Sequence, residues 1–284
     1  MSIPLKKLSQ FPSVAASAIS TLSLDELRGS SIHGIILEQG GTSFTKAHMT
    51  EIKISIGGKS VISGISGDQL QDINDYDGLS ATSDYVAFWF GDPTARTVFG
   101  QHLTDLDLSY YDKASAVLEV TVGAATAPTL QAYAVIGPPK DVMGLNYSQM
   151  DVASIRALIR TVATPSAAVT RQSYPIGLGS NAGANVRKIC AFNSNLTSLE
   201  FKKNGISIHD DVSVALNTFL QAEFGRVAQS GLYVLDHVVD ANQGKADPTV
   251  NKNGNPFPMQ VNLTTSGADT ITVFADVRAP LQLL

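Results

Sequence analysis

A single cysteine, Cys190, stands in the whole chain, so no internal disulfide can form and nothing calls for an oxidising compartment. It lies within an apolar run and reads as a small buried hydrophobe. Charge is scarce as well: Asp, Glu, Lys and Arg make up 16% of the residues, with a net charge of −5. No basic stripe is present, which sets direct nucleic-acid binding aside. No run reaches the ~18 apolar residues of a membrane span. Lys6-Lys7 ahead of Ala16-Ser17-Ala18 mimics a secretory signal, but Ser9, Gln10, Pro12 and Ser13 interrupt its apolar centre. The expectation is a protein soluble as made.

Chemical motifs are missing too. His33, His48, His102, His209 and His237 are scattered, and none forms the His-X-His grouping of a double-cupin metal site. There is no Gly-X-Ser-X-Gly elbow, no phosphate-binding glycine loop and no HEXXH. Gly177–Gly183 is glycine-rich, yet it precedes a strand and does not match a dinucleotide fingerprint. Asp105 and Asp107 alternate with Leu106 and Leu108, which puts both acids on one strand face, outward in the ordinary case. Asp210-Asp211 and Asp236 with Asp240 also cluster, without the spacing of a calcium loop. The Asn-X-Ser/Thr sites at Asn146, Asn195 and Asn262 mean little without a secretory route. No catalytic, cofactor-binding or metal-ligating residue is assigned, no cofactor is expected, and the chain does not read as an enzyme.

What is there is apolar material and order. Hydrophobic residues are 44% of 284, enough for two domains of about 140 residues each. The low charge suggests that much of the surface meets other protein. Ile52–Ile56 alternates as a half-buried strand, Gly57-Gly58 supplies a turn at positive φ, and Ser60–Ile62 returns. Ser66-Gly67-Asp68-Gln69 then has the form of a capping box opening a helix over 67–76. The same unit returns at Leu199–Ile208 about an Asn204-Gly205 turn, with Asp210-Asp211 as the expected N-cap of a helix over 212–224. Two-residue loops set Ile54 opposite Val61 and Phe201 opposite Ile208. Further echoes keep the same order: Phe11–Ala15 with Thr164–Ala168, Ile35–Leu37 with Lys188–Cys190, and Tyr133–Pro139 with Phe274–Pro280. Together they indicate a duplicated domain.

Strands are expected at about Ile3–Gln10, Val14–Leu24, Ile32–Glu38, Met49–Ile56, Ser60–Ser63, Tyr85–Phe90 (a bulky run suited to a central strand), Leu103–Tyr110, Ala116–Val122 and Thr129–Ile136. A linker starts at Gly137-Pro138-Pro139 and ends near 150. Ile155–Val162 fits helix or strand, and its echo of the N-terminus favours a strand. Val186–Phe192, Ser198–Lys203, Ile206–His209, Gly231–Val239, Met259–Thr265 and Thr270–Val277 complete the second half. Asp240–Pro258, rich in Asn, Gly, Lys and Pro, is expected to be exposed. The fold is all-β: two tandem jelly-roll β-sandwich domains, 1–142 and 143–284, each with a short helix after a central hairpin.

This organisation resembles the double jelly-roll major capsid proteins of tailless icosahedral viruses, above all the compact type of corticovirus-like, membrane-containing bacteriophages. The likeness rests on the Pro12 and Pro165 openings, the units at 52–76 and 199–224, and the paired endings at 133–139 and 274–280. It implies a homotrimer whose six jelly rolls form a pseudo-hexagonal tile of an icosahedral shell, made soluble in the host cytoplasm and resident in the virion. Implied partners are neighbouring trimers, vertex or penton proteins, and membrane-associated virion proteins. The arm Met1–Gln10, where Lys6 and Lys7 are the only charges before Asp25, is expected to meet neighbours or lipid headgroups. Two rival readings are a carbohydrate- or receptor-binding tandem sandwich (a lectin or spike) and a bicupin-type metalloenzyme. The first needs aromatic groups on exposed loops, and the second lacks its histidines.

Overall fold

The computed structural model describes residues 4–79, 82–142, 153–174 and 183–284. The glycine-rich segment at 177–182 and most of the expected linker lie outside the described residues.

The first half runs β1 (Leu5–Lys7), β2 (Ile19–Ser23), β3 (Ser31–Gly40), β4 (Met49–Ile56), β5 (Lys59–Ile65), helix α1 (Gly67–Tyr76), β6 (Tyr85–Trp89), α2 (Val98–His102), β7 (Leu106–Asp107), β8 (Ala116–Val122) and β9 (Thr129–Gly137). The second runs β10 (Ser154–Ala163), β11 (Val169–Tyr174), β12 (Asn185–Phe192), β13 (Leu196–Lys203), β14 (Ile206–Ser213), α3 (Val214–Ala222), β15 (Leu232–Asp236), β16 (Asp247–Pro248), β17 (Met259–Thr265) and β18 (Ile271–Pro280). In the first half β1-β9-β3-β6 and β5-β4-β8-β2 form the two sheets. In the second, β10-β18-β12-β15 and β14-β13-β17-β11 repeat them strand for strand. Each half is a jelly roll.

Alternation drives the layering. In β8, Ala116, Leu118, Val120 and Val122 are buried while the residues between them are half-exposed. Ile35 and Phe88 from one sheet share a core cluster with Ile54 and Leu118 from the other. That cluster continues through Ile155, Leu199 and Phe274 of the second jelly roll. A parallel contact of β5 with β10, Ile62 against Leu158, joins a sheet of each half edge to edge.

Both hairpins carry bulges that the two-residue loops alone do not reveal. Ile54 pairs with Ile62 rather than Val61, and Phe201 with His209 rather than Ile208. Both pairings are displaced by one residue at the same place. A second bulge follows at Ile52–Ile65 in one hairpin and Leu199–Val212 in the other. Ser66 caps α1 by accepting from the Gln69 N–H, and Ser213 caps α3 by accepting from the Leu216 N–H. The second cap is therefore Ser213 and not Asp210-Asp211, because the bulge keeps the chain extended through β14 as far as Ser213.

Other expectations need correcting. β6 lies at a sheet edge, not centrally, and ends at Trp89. Leu103–Tyr110 is mostly turn, with only the short β7, because Asp107 accepts from the Ser109 and Tyr110 N–H groups and curls the chain. The strand β11 has no counterpart in the sequence reading. Within Asp240–Pro258, Gln243, Ala246 and Thr249 are buried, since side chains elsewhere satisfy their polar groups or they pair with the backbone at Ala184. From Leu5 onward the N-terminal arm is tied to its own jelly roll, where β1 pairs with β9, Leu8 is buried and Lys6 Nζ donates to the Glu26 carbonyl at 2.7 Å, while Lys7 stays exposed.

Candidate assembly surfaces and a buried histidine–aspartate cluster

The junction of the two jelly rolls is ionic and buried. The outer face of β10-β18-β12-β15 presents Arg156, Arg187, Lys188 and Asp276, and the first jelly roll covers it. Arg156 donates to both Asp276 oxygens, the closest at 2.6 Å, and to the Trp89 carbonyl at 2.7 Å. Arg187 bridges Asp276 at 3.1 Å and Asp92 at 3.0 Å, and its Nε donates to Gln243 at 2.8 Å. Gln243 also donates to Asp92. A second group follows at the end of α1. Lys188 and Arg226 both meet Asp77, and the Tyr76 hydroxyl donates to Asp236 at 3.2 Å. Both cations also lie over the Tyr76 ring.

Four cations thus face four aspartates, which limits the cost of burying them. Burial pushes the Asp92 and Asp276 carboxyls up, but the adjacent guanidinium groups outweigh it and hold both below the usual carboxylate range. Asp236 is raised by burial, which Lys188 and Arg226 offset only in part. Removing one partner would leave a buried charge without compensation, so the network fixes how the halves sit together.

The two helices show which of these surfaces is covered. Asn74 of α1 donates to the Ala87 carbonyl of β6, and Gln221 of α3 donates to the equivalent Val234 carbonyl of β15. Each helix is pinned to its own jelly roll in the same way. Beside these residues the likeness ends. Ile73 is 2% exposed, whereas Leu220, at its equivalent position, is 46% exposed and Phe219 beside it 62%. Leu216 and Phe224 of the same segment are also exposed, as are Ile206 and Ile208 on β14.

A complementary feature lies on the outer face of β1-β9-β3-β6. Leu5, Ile36, Ala87, Trp89 and Tyr133 line a groove of about 580 Å³ beneath α1. Phe88 and Phe90 point into the core instead, so the aromatic run is not gathered on an exposed loop.

The structure also draws together three scattered residues. His33, on β3, and His102, at the end of α2, both turn a ring nitrogen to the Asp105 carboxylate. The Nδ1–O distances are 2.9 Å and 2.8 Å, and the ring centroids are 5.0 Å apart. Asp105 and Asp107 are both fully buried and do not face outward on a solvated strand. The bond to Asp105 raises the His102 pKa, partly opposed by burial. Of the other histidines, His209 donates to Tyr233, while Asp210 and Asp240 remain near the surface. The only local signal for the cluster is the three-residue step from His102 to Asp105. Nothing in the sequence points to His33. Arg156, Arg187 and Lys188 likewise read as unremarkable residues on strands, since a charge in an apolar strand does not name its partner.

Two family models match the chain: the viral coat protein P2 N-terminal domain over residues 5–137, and the viral coat protein P2 C-terminal domain over residues 155–281. Among solved structures, the major capsid protein P2 of Bacteriophage PM2 is similar at a TM-score of 0.80, with 15% identity and 97% of each chain covered. The Sulfolobus Turreted Icosahedral Virus structure gives a TM-score of 0.64 at 14% identity, over 98% of this chain and 90% of the other. The PBCV-1 virus capsid gives 0.59 at 14% identity, over 98% and 93%. No curated protein matches the chain in sequence.

Proposed function

This chain belongs to the viral coat protein P2 family and is a viral major capsid protein, a component of the virion shell and not an enzyme; from that premise we propose that it assembles as a trimer, with six jelly rolls approximating a hexagonal tile of an icosahedral shell. One observation carries the reading. Tyr76 and Asp77 at the end of α1 meet the second jelly roll and Ile73 is buried, while the equivalent stretch of α3 leaves Leu220 and Phe224 exposed. At the other end of the chain the sheet β1-β9-β3-β6 presents an open groove, where its counterpart β10-β18-β12-β15 is covered.

A chain with one unused face at each end suits head-to-tail contact. Repeating the in-chain arrangement between copies seats α3 and β14 of one subunit against the groove of the next, and three copies close a ring of six similar domains. Burying Phe219, Leu220 and Phe224 this way is favourable at roughly 25 cal/mol per Å² of apolar area, less the costs of association. By the equivalent bulges of β12 and β3, Asp276 is matched by Val135, Lys188 by Gly34 and Arg187 by His33, so the ion network of the covered junction is not repeated at the open one.

The same reading extends to a bacteriophage with an internal membrane. Its support is the resemblance of the whole chain to that group, together with the exposed Lys7 on the N-terminal strand. Neighbouring trimers and vertex proteins are the further partners it entails. Light scattering on the purified chain tests the trimer: a mass of about three times 30.0 kDa is expected. A monomer or dimer persisting at high concentration would overturn it.

A further inference from the structure

We propose that His33, His102 and Asp105 form a binding site for a borderline-soft divalent cation, of the kind typified by zinc. Two imidazoles and a carboxylate are a donor set that suits such an ion, and three protein ligands leave the remaining position to water. Calcium is excluded by the same chemistry, because it takes six to eight oxygen ligands.

Geometry supports the assignment. The three ligand atoms all lie within 4.8 Å of one another. A tetrahedral zinc with bonds of about 2.1 Å needs them roughly 3.4 Å apart, which small rotations of the two rings supply. Both histidines keep partial exposure, so an ion has a way in, while Asp105 is fully buried beneath them.

The backbone around the site is held firmly. β3 carries a bulge between Ile32 and Gly34, where the ladder to β9 slips by a residue, and His33 is the extra residue. Bulges of this sort re-aim a side chain. Gly91 passes so close that a Cβ there would meet His33 Nδ1 at 2.1 Å. The Thr104 hydroxyl donates to the Phe90 carbonyl at 2.5 Å, and the Thr104 carbonyl accepts from the Arg156 N–H at 3.2 Å. The turn bearing Asp105 is thereby tied to its own jelly roll and to the next.

Without metal, each Nδ1–H donates to Asp105. Binding moves those protons to Nε2 through solvent and turns the Nδ1 lone pairs towards the cation. The imidazoles stay neutral and no electrons are transferred. A bound ion would clamp β3 to the turn after α2, close to the junction of the jelly rolls, and so would stabilise the folded chain. Protons compete for the same nitrogens, so affinity should fall on acidification.

The chain carries its own reporter. Trp89 is the single tryptophan, and its ring lies 5.6 Å from that of His33, edge to face. The test uses the untagged full chain, stripped with a chelator and titrated with Zn²⁺ by calorimetry. Co²⁺ then serves as a spectroscopic probe, read by visible absorption and Trp89 quenching. One Zn²⁺ per chain is expected, with a raised Tm, Co²⁺ bands of low coordination number and saturable quenching. His102→Gln should weaken binding at least tenfold, and His33→Gln likewise, while millimolar Ca²⁺ leaves the Zn²⁺ titration unchanged. Native circular dichroism is required of each variant, and one folded variant suffices. No saturable Zn²⁺ binding, or binding within threefold of the parent in a folded variant, would overturn the site.

Discussion

Asp211 occupies in the second jelly roll the backbone position that Gly64 occupies in the first: both lie in the left-handed region, at φ of 50° and 67°, at equivalent bulges before a helix. The same backbone need is met by glycine in one copy and in the other by an acid that tolerates this region. Asp211 gains local support, since Ser198 Oγ donates to it at 2.5 Å and Arg171 pairs with it at 3.2 Å. Gly64→Ala should therefore cost about 1 kcal/mol or more, because strain adds to contact with the Glu51 carboxylate. Urea denaturation measures it, and a variant as stable as the parent would refute the strain.

At the junction, Arg187→Met removes one cation from between Asp92 and Asp276. Breaking one side of a buried ion network costs about 3–5 kcal/mol. Denaturant unfolding should show that loss, and unfolding should separate into two transitions as the jelly rolls uncouple. A single transition at the parent midpoint would remove the network from its role in joining them.

Acid should weaken the same junction. Despite the upward push of burial, Arg187 and Lys188 hold Asp92 below the usual carboxylate range. Its stabilising contribution is complete above the ordinary carboxylate pKa near 3.9 and is lost as pH falls towards the folded value. In Asp92→Asn, stability should respond less to pH below about 4. An unchanged acid limb in the melting curves would contradict this.

His209 and His102 should titrate in opposite senses. Burial, reinforced by nearby His237, pushes His209 down to about 4. The Tyr233 hydroxyl donates to the Val212 carbonyl at 2.9 Å, so it accepts from His209 Nε2, which fixes the tautomer. Between pH about 6.5 and 4 the unfolded chain takes up a proton there that the folded chain does not, so His209 lowers stability as pH falls. His102, raised by Asp105, contributes stability that is complete below about 6.5 and is lost as pH rises through its folded value. Imidazole titration by NMR checks both, and either histidine titrating at an unperturbed value would contradict its assignment.

The assembly face offers a clean separation of folding from association. Phe219→Asp with Phe224→Asp changes side chains that are 62% and 54% exposed. Substitutions so exposed usually shift a subunit's own stability by less than about 0.5 kcal/mol each. The variant should therefore fold to a native circular dichroism spectrum while the trimer dissociates, its Tm falling only by the lost association. Light scattering beside a thermal melt decides it. An intact trimer would place the interface elsewhere on the chain.

The sequence by itself determined whatever rests on near neighbours. The turns at Gly57-Gly58 and Asn204-Gly205, the Ser66 cap and the alternation of Ala116–Val122 are local chemistry, and each stands where it was expected. Their repetition in order was enough to indicate a duplicated jelly roll. Tertiary structure decided what depends on distant partners. The register beyond each turn shifted because a bulge is settled by what the strand must bury, and with it the second helix cap moved to Ser213. β6 became an edge strand because sheet order is set by pairing and not by bulk. Asp105 turned inward because its partners arrive from β3 and from α2, and Arg187 is matched by an aspartate 95 residues earlier in the chain. A charge written in a strand shows that something must neutralise it if it is buried, and only the folded chain brings the group that does.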